Sequence, residues 1–365
     1  MVRFWNYIDE LKKEEEKTLS AIKDVLYSGR LILGENVERF ETNFSNYCNA
    51  KQGIGVANGT DALFLALKAL GVEEGDEVIT VANTAVPTVS AIVSAGARPV
   101  FVDINPKTML MDGNKVESAI TEKTKCILPV HLYGQCADME ALKGIAEKHN
   151  LRILEDCAQA HGASRNGCKA GGMGDASAFS FYPTKVLGTY GDGGLVCTSD
   201  DEVAQKMKEL RFYGMRETYY SEGHGYNSRL DELHAAILLV KFDNIEDYLK
   251  RRREIAKRYM EAFADLDLQL PYVDNGNEHV YYQFVCRHPK RDEVVAALKE
   301  QGIGIAITYP YPIHTMRGYQ YLGYKEGDLP ETEVAANEVF SLPLYVTMPD
   351  SDVEKVIDAV RKVLA

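Results

Sequence analysis

The chain has 365 residues, of which 45% are hydrophobic and 26% charged, and its formal net charge is −13. This composition predicts a globular protein with one large core and a smaller second one, and the acidic balance disfavours nucleic acids and anionic membranes as partners, since both require a clustered basic face. No apolar run is long enough to span a bilayer, and the first residues lack the apolar segment of a secretory signal, so we expect a cytoplasmic protein without a membrane partner.

The first part of the chain predicts a helical arm followed by a large α/β domain. Residues 1–30 contain the helical run "EEEKTLSAIKDVLYSG" and are assigned to the arm. From about residue 50 onward, strand-like runs such as "GIGVA" alternate with amphipathic helical segments such as "TDALFLALKALG". This alternation predicts a mostly parallel sheet with helices on both faces, which we assign to residues 31–245. Near its end, "ASAFSFYP" and "GGLVCTS" predict a closely linked pair of strands.

Beyond about residue 245 the pattern changes. A long helical run, "IEDYLKRRREIAKRYMEAFADL", is followed by short strands that we predict near 281–287 and 303–308, and by a closing helix at 352–364. These elements predict a separate, smaller α+β domain over residues 246–365.

The cysteines indicate a reducing compartment. Seven are scattered along the chain, without a C-x-x-C pair or a Cys/His group at zinc-ligand spacing. We therefore expect reduced thiols and no metal ion.

The stretch "AFSFYPTKVLGTYGDGG", residues 178–194, presents a single lysine, Lys185, between an aromatic strand and a glycine-rich loop. A lysine that is desolvated or lies beside another cation forms Schiff bases with carbonyl compounds, and glycines allow the backbone to close around a bound molecule. Taken alone, a lysine at a strand end is more often a solvated side chain.

The stretch "ILEDCAQAHGA", residues 153–163, places Asp156 at the end of a run that predicts a buried central strand. A buried carboxylate is costly without a cationic partner, and the protonated pyridine nitrogen of pyridoxal phosphate is such a partner. The alternative, a helix N-cap, is equally compatible with this one residue.

The stretch "ANGTDALFLALKALG", residues 57–71, predicts an anion site. Gly59 and Thr60 precede a helix whose first N–H groups are free to bind a cofactor phosphate, and the Ser180 hydroxyl could join them. The alternative is ordinary capping by Asn58 or Thr60, and Asp61 would repel a phosphate if it pointed inward. A lysine, a strand-end carboxylate and a helix N-terminus together predict a pyridoxal phosphate site.

An ordered set of segments extends this interpretation to nearly the whole chain. The segments are "NGTDAL", "VHLYGQCADM", "LEDCAQAHGA", "FSFYPTKVLGTYGDGG", "YNSRLDELHAAIL" and "SLPLY". With them the chain resembles the sugar aminotransferases of the DegT/DnrJ/EryC1/StrS family. The resemblance implies an α/β, fold-type-I, aspartate-aminotransferase-like large domain with a mostly parallel seven-stranded sheet, a small C-terminal domain, and a homodimer that shares its active sites across the subunit interface.

The same resemblance assigns roles to individual residues. Lys185 would bind the cofactor as a nucleophile and then act as general acid and base, Asp156 would pair with the pyridine nitrogen, and Gln159 would reach the ring hydroxyl. The phosphate would be held by Gly59, Thr60 and Ser180, with Asn227 reaching over from the partner subunit. Many family members carry an aromatic residue that stacks on the cofactor ring, but this chain has Ala85 at that place in "ANTAVPT".

Weaker hypotheses concern the substrate and the orientation of Asp156. We expect His161 to orient that carboxylate, and Arg229 either to position a nucleotide diphosphate or to pair with a neighbour such as Asp231. The sugar pocket could be lined by Tyr182, Tyr309, His314 and Tyr345. For each of these residues an ordinary packing role is an equal alternative.

The activity that the resemblance implies is the transfer of an amino group from an amino acid, L-glutamate, to the C3 keto group of a dTDP-linked 3-keto-6-deoxyhexose. The cofactor would alternate between pyridoxal and pyridoxamine phosphate, and the product would be an aminodeoxysugar for surface glycans such as the O-antigen of lipopolysaccharide. "NTAVPT" and "NSRLDE" favour C3 over the alternative, C4. A dehydratase is disfavoured because Lys185 is present, and a dinucleotide-dependent oxidoreductase because "GIGVANG" lacks the third glycine. A non-catalytic sensor of nucleotide sugars is the alternative from another class.

Overall fold

The computed structural model describes residues 1–217 and 219–364. In this part of the chain the helices are α1 (Ile8–Tyr27), α2 (Glu35–Tyr47), α3 (Gly59–Ala69), α4 (Val86–Ser94), α5 (Gly113–Val116), α6 (Met139–His149), α7 (Asp201–Leu210), α8 (Glu232–Phe242), α9 (Ile245–Ala262), α10 (Arg291–Glu300), α11 (Pro330–Glu338) and α12 (Asp350–Leu364). The strands are β1 (Gln52–Val56), β2 (Glu77–Val81), β3 (Arg98–Val102), β4 (Thr124–Ile127), β5 (Arg152–Asp156), β6 (Ser164–Arg165), β7 (Cys168–Lys169), β8 (Ala176–Ser180), β9 (Gly194–Thr198), β10 (Met215–Glu217), β11 (Tyr220–Ser221), β12 (Asn277–Glu278), β13 (Phe284–Arg287) and β14 (Val339–Leu342).

The larger body is built on a seven-stranded sheet with the strand order β1-β9-β8-β5-β4-β2-β3. Its strands pair in parallel except for β9, which runs antiparallel to both of its neighbours, β1 and β8. The carboxyl ends of β2, β4, β5 and β8 therefore lie at the same edge. The predicted mostly parallel sheet and the predicted pairing of β8 with β9 are both confirmed.

Helix α3 lies buried beside this sheet. It packs against β8 and β9, and α4 and α7 cover its other sides, so that Leu63 and Leu67 are at most 2% exposed. Because apolar side chains surround α3 on nearly all sides, its position is set by tertiary packing. Its first residue, Gly59, is thereby placed against the end of β8.

Two carboxylates cap helices that are remote from them in sequence. Glu232, at the start of α8, accepts hydrogen bonds from the backbone N–H groups of Gly34 (2.7 Å) and Val37 (2.9 Å) at the start of α2. Asp103, just after β3, accepts from the N–H groups of Glu331 and Thr332 at the start of α11, both at 2.9 Å. These caps satisfy N–H groups that have no partner within their own helices.

A second hydrophobic cluster forms around β13 and β14, which pair antiparallel. The predicted strand near 281–287 is confirmed as β13, but the predicted strand near 303–308 is wrong. That run makes only isolated bridges, from Ala306 to Ser341 and from Ile303 to Val2. The chain does not continue along β14, because Thr308 and the residues after it turn towards the large sheet.

The N-terminal residues, helix α9 and the segment 313–329 each connect the larger body with the smaller body around β13 and β14. The predicted arm helix is confirmed as α1, which packs against α8. Val2 lies in the second cluster, and α9 begins in the first cluster with Leu249 and continues in the second with Tyr259. The segment 313–329 packs on the larger body, where Ile313 and Leu322 belong to a third hydrophobic cluster together with Val89 and Phe101. The exact domain limits stay predictions.

Among the helices of the described residues, none is both long and apolar enough to cross a membrane.

Candidate active site

Lys185 lies in the loop between β8 and β9. The loop is closed at its base by a hydrogen bond from the N–H of Thr189 to the carbonyl of Phe181 (2.8 Å), and Lys185 N–H donates to the carbonyl of Tyr182 (2.9 Å). The Lys185 side chain is half-buried, and its Nζ lies 4.8 Å from the centroid of the Tyr282 ring. Within the described residues no carboxylate forms an ion pair with this amine, so it is available to a ligand.

Asp156 ends β5, directly beside β8 in the sheet, where it is paired with Ala178. Its carboxylate is buried and accepts hydrogen bonds from Thr88 Oγ1 (2.8 Å) and from the N–H of Ala158 (3.1 Å). Burial raises the pKa of Asp156, although these hydrogen bonds and the nearby charge of Lys185 act against it. Over residues 1–217 and 219–364 no cation pairs with the carboxylate, and the protonated ring nitrogen of pyridoxal phosphate would be the missing partner.

Thr88, on α4, is a site residue that the sequence analysis missed. Its hydroxyl lies 2.8 Å from that of Thr84, and it is only 1% exposed. Because Thr88 donates its proton to Asp156, it must accept the proton of Thr84, so the three side chains form one hydrogen-bonded chain. A hydroxyl residue in the apolar run "AVPTVSAIVS" was the available signal.

The N-terminus of α3 is the place at which the sequence predicts an anion site. Gly59 and Thr60 occupy its first two positions, whose N–H groups have no partner one turn earlier. A Cβ at residue 59 would lie 2.6 Å from Ser180 Cβ, so only glycine allows this close approach. Asn58 caps the helix by accepting from Asp61 N–H at 2.8 Å. The capping by Asn58 and the exposure of the free N–H groups are therefore compatible.

Asp61 does not point into this anion site. Its carboxylate accepts a hydrogen bond from Ser228 Oγ at 2.6 Å, and the same hydroxyl accepts from Ala57 N–H at 3.1 Å. The segment "YNSRLDE" is thus attached beside the start of α3. Its Asn227 is exposed, as a residue that reaches a second subunit must be.

Gln159, three residues after Asp156, is hydrogen-bonded to the segment that contains Thr308 and Tyr309. Its Oε1 accepts from Tyr133 N–H (2.8 Å) and its Nε2 donates to the Tyr309 hydroxyl (3.0 Å), while the Tyr133 hydroxyl donates to the carbonyl of Thr308 (2.6 Å). Burial raises the pKa of the Tyr309 phenol, so it stays protonated. The Gln159–Tyr309 pair lies near Asp156, whose charge contributes to raising the pKa of Tyr309.

The predicted substrate residues differ in their exposure and in their partners. Tyr182 is 52% exposed on the Lys185 loop, as a substrate contact requires. Tyr345, however, is buried in the second hydrophobic cluster, and His314 is fully buried with its Nε2 2.9 Å from Glu333 Oε1. Within the described residues neither side chain forms a hydrogen bond with the Lys185 loop, and both assignments stay predictions.

The surroundings of Arg229 and His161 bear on the roles predicted for them. The Arg229 guanidinium lies 5.1 Å from the Phe212 ring centroid, and within the described residues it forms no ion pair with Asp231. His161 is fully buried among aromatic rings such as Phe179, and burial together with the nearby charge of Lys185 lowers its pKa to about 3. The hydrogen bonds that orient Asp156 come from Thr88 and Ala158, so the orienting role assigned to His161 passes to Thr88.

On the other face of β5, Glu155 forms a closed cluster that the sequence analysis also missed. Ligand-type atoms of His131, Glu155 and Cys157 lie within 4.8 Å of one another. His131 Nε2 donates to Glu155 (2.9 Å), its Nδ1 accepts from Ala137 N–H (3.1 Å), and burial raises the pKa of the Cys157 thiol. Since these atoms are engaged or protonated, the cluster is a structural one.

Comparison of the amino-acid sequence with known proteins gives matches over nearly the whole chain. The model of the DegT/DnrJ/EryC1/StrS aminotransferase family matches residues 12–361. A protein of Micromonospora megalomicea subsp. nigra, named dTDP-3-amino-3,4,6-trideoxy-alpha-D-glucose transaminase, is 52% identical over 99% of this chain and 98% of its own. A protein of Geobacillus stearothermophilus, named pleiotropic regulatory protein, is 48% identical over 97% of this chain and 95% of its own.

Solved structures match the fold over its whole length. S. venezuelae DesV in complex with a ketimine intermediate superposes with a TM-score of 0.97 at 41% identity, covering 99% of this chain and 98% of that one. The structure of NtdA from Bacillus subtilis with bound cofactor PMP gives a TM-score of 0.92 at 32% identity, covering 99% and 85%.

Proposed function

The chain belongs to the DegT/DnrJ/EryC1/StrS aminotransferase family, and from this premise we propose that it transfers an amino group from L-glutamate to the C3 keto group of a dTDP-linked 3-keto-6-deoxyhexose. The cofactor is pyridoxal phosphate. One observation carries the activity: the Lys185 loop, the cation-free Asp156 and the N-terminus of α3 meet at one edge of the sheet. The C3 position rests on the name of the 52% identical relative.

Each group of the site has one task in this reaction. Pyridoxal phosphate, when bound, supplies an electron sink that stabilises negative charge at the carbon losing its proton. The Lys185 amine binds the cofactor aldehyde, and, once displaced by the donor, takes a proton from one carbon and returns it to another. Asp156 holds the proton on the pyridine nitrogen, and Thr88 holds Asp156 in place.

The remaining groups bind and orient. The N–H groups of Gly59 and Thr60 and the Ser180 hydroxyl bind the cofactor phosphate, with Asn227 of a second copy completing this contact. The Gln159 amide, now donating to Tyr309, binds the ring hydroxyl. Tyr182 and Tyr309 contact the sugar, and Arg229 contacts the nucleotide diphosphate.

A homodimer follows from the same proposal. Exposed apolar side chains on and after α1 include Leu26 at 59%, Tyr27 at 82% and Leu31 at 52%, and such a surface is expected to be covered by a partner. Sedimentation of the purified protein tests for the dimer. Mixing Lys185→Ala and Asn227→Ala chains tests for shared sites, because mixed dimers would regain one intact site and hence activity.

The proposal also includes the cellular location of the protein and the use of the amino sugar. The seven cysteines are free thiols, and only Cys168 among them is exposed, which supports a reducing, cytoplasmic location. The use of the amino sugar in surface glycans stays a prediction.

An absorbance experiment tests the activity. Wild type with pyridoxal phosphate should show the visible band of the lysine-bound cofactor, Lys185→Ala should lack it, and glutamate should bleach it in wild type. The keto sugar should then restore the band, and NMR of the product should place the amino group at C3. An amino group at C4 would support the alternative regiochemistry.

A non-catalytic sensor is the second candidate, because the 48% identical relative is named a regulatory protein. The same experiment separates the two. A sensor would bind the nucleotide sugar while the band remained unbleached by glutamate, and Lys185→Ala would leave sugar binding unchanged.

A further inference from the structure

A buried lysine on α8, Lys241, lies behind the Lys185 loop and has no role in the site described so far. It is only 3% exposed. Its Nζ lies 2.6 Å from Glu10 Oε1, donates to the carbonyl of Gly188 at 2.8 Å, and lies 4.7 Å from the centroid of the Tyr190 ring. One ammonium group thus contacts the arm helix α1 and the loop that carries Lys185.

Gly188 is the point at which this loop folds back on itself. A Cβ at Gly188 would lie 2.6 Å from the carbonyl oxygen of Tyr182 and 2.8 Å from that of Pro183. The next residue, Thr189, donates to the carbonyl of Phe181. The Gly188 Cα is therefore packed against the entrance of the loop, and holding the adjoining Gly188 carbonyl in place holds the segments on both sides of Lys185.

The ammonium group of Lys241 depends on Glu10. A buried charge is costly unless a counter-charge and hydrogen bonds replace water. Glu10 supplies the counter-charge from α1, whereas Gly188 and Tyr190 supply a carbonyl dipole and a ring face. When α1 leaves its place, Lys241 loses its counter-charge, and its hydrogen bond to Gly188 is no longer held in position.

We propose that Lys241 is a positioning residue that couples the docking of the N-terminal helix α1 to the placement of the Lys185 loop. The meaning of this coupling for catalysis rests on the proposed function, but the coupling itself is a property of the fold. Through this coupling helix α1 helps to position the Lys185 loop, although no residue of α1 contacts Lys185 in the described structure.

A matched control exists one turn further along α1. Glu14 is also buried, and its Oε1 accepts hydrogen bonds from the Tyr248 hydroxyl and from Asn244 Nδ2 at 3.1 Å. These partners lie on and next to α9. Within the described residues Glu14 forms no hydrogen bond or ion pair with Lys241 or with the Lys185 loop, although its charge acts on Lys241 at longer range. Glu14→Gln therefore removes a buried charge from α1 and leaves the three direct contacts of Lys241 in place.

Hydrogen exchange of the cofactor-free protein tests the coupling directly. The amides of Lys185 and Thr189 report on the loop, because both are hydrogen-bonded within it. In Glu10→Gln and in Lys241→Met these amides should exchange about tenfold faster than in wild type. In Glu14→Gln, which keeps the direct contacts of Lys241, their exchange should rise by clearly less than in the two link variants, while the melting temperature falls. The double variant Glu10→Gln/Lys241→Met should match Lys241→Met alone, because both changes break one link.

The outcomes separate the coupling from the proposed function. Equal exchange in wild type, Glu10→Gln and Lys241→Met would overturn the coupling, and so would an equal acceleration in Glu14→Gln. With pyridoxal phosphate, the two link variants should lose the visible band faster on dilution, and their kcat should fall while KM for the sugar is retained. If wild type itself shows no band, the proposed function fails, whereas the exchange result still decides the coupling.

Discussion

Two neighbouring carboxylates on β5, Glu155 and Asp156, are both buried but have opposite surroundings. Successive side chains of a strand point to opposite faces of the sheet. Glu155 accepts hydrogen bonds from His131 and from the N–H groups of Gly171 (3.0 Å), Met173 (2.8 Å) and Gly174 (2.6 Å). Asp156 accepts from Thr88 and Ala158 only, within the described chain.

The difference is visible in the proton affinities of the two groups. Burial alone would raise the pKa of Glu155, but the hydrogen bond from His131 and the hydrogen bonds from the backbone lower it overall. At Asp156 burial outweighs the hydrogen bonds, and the pKa is raised. A buried carboxylate with a full set of donors stabilises the fold, whereas one left without a cation is prepared to bind one.

The largest effect is expected for a change at Asp156, the carboxylate to which we assign a functional role. Asp156→Asn removes the negative charge that holds the pyridine proton, so kcat/KM should fall on the order of a thousandfold. The free energy of unfolding of the cofactor-free protein at pH 7 should not fall, since a poorly compensated charge is removed. Steady-state kinetics and urea unfolding measure the two quantities.

In Asp156→Asn the one remaining oxygen can accept from the Ala158 N–H, and the new amide N–H₂ can donate to the Thr88 hydroxyl, which both donates and accepts hydrogen bonds. If Asp156→Asn lowered the unfolding free energy of the cofactor-free protein as much as a core substitution does, Asp156 would be a structural residue. The proposed difference between Asp156 and Glu155 would then be wrong.

The next largest effect is expected for a change at Glu155, the carboxylate to which we assign a structural role. Glu155→Gln places an amide N–H₂ where two donors now point, and the cofactor-free protein should lose about 3 kcal/mol of unfolding free energy. The visible band of the bound cofactor should keep its position, because Glu155 lies on the face of β5 away from Asp156. A shifted band with unchanged stability would contradict this assignment.

Lowering the pH should affect the two carboxylates in opposite directions. The pKa of Glu155 is lowered from 4.5, so its stabilisation is present above pH 4.5 and is lost as the pH falls through its folded-state pKa. The pKa of Asp156 is raised from 3.8, so its destabilisation is present above the folded-state pKa and disappears as the pH falls towards 3.8.

Urea unfolding of the cofactor-free protein over this range provides the measurement. The stability gap between wild type and Glu155→Gln should narrow in acid below pH 4.5. Any excess stability of Asp156→Asn over wild type should also vanish in acid, but starting at a higher pH. Parallel pH profiles for the two variants would show that the carboxylates do not differ.

The smallest effect sharpens the comparison at Thr88. Thr88→Val removes one of the two donors of Asp156 with little change of shape, and the affinity for pyridoxal phosphate should fall about tenfold. Thr88→Ser keeps the hydroxyl and should restore most of the affinity. Equal dissociation constants for Val and Ser, from absorbance titration, would show that the hydroxyl does not position Asp156.

The residues proposed for the cofactor site could be selected from the sequence because they lie where strands end or helices begin. Lys185, Asp156 and Gly59 each follow from a local pattern, and a parallel sheet brings the carboxyl ends of its strands together whatever the details of packing. The strand predicted at 303–308 was wrong for the opposite reason. Its alternation is strand-like, but pairing depends on a partner, β14, that lies far along the chain.

The residues that the sequence did not reveal act through partners remote in sequence. Thr88 contacts Asp156 across 68 positions, Lys241 contacts Gly188 across 53, and Glu155 is held by a loop that begins 16 residues later. None of these pairs has a local pattern.

The sequence by itself determined the alternation of strands and helices, and with it the sheet, the edge at which the site forms and the residues that have the chemistry for it. Periodicity and capping are local properties, so they can be recognised in the amino-acid order. Only the tertiary structure decided which buried carboxylate is satisfied, which residue orients it, and that Lys241 joins the arm to the Lys185 loop. Burial and hydrogen bonding depend on what packs from elsewhere in the chain, and they set the cost of each charge.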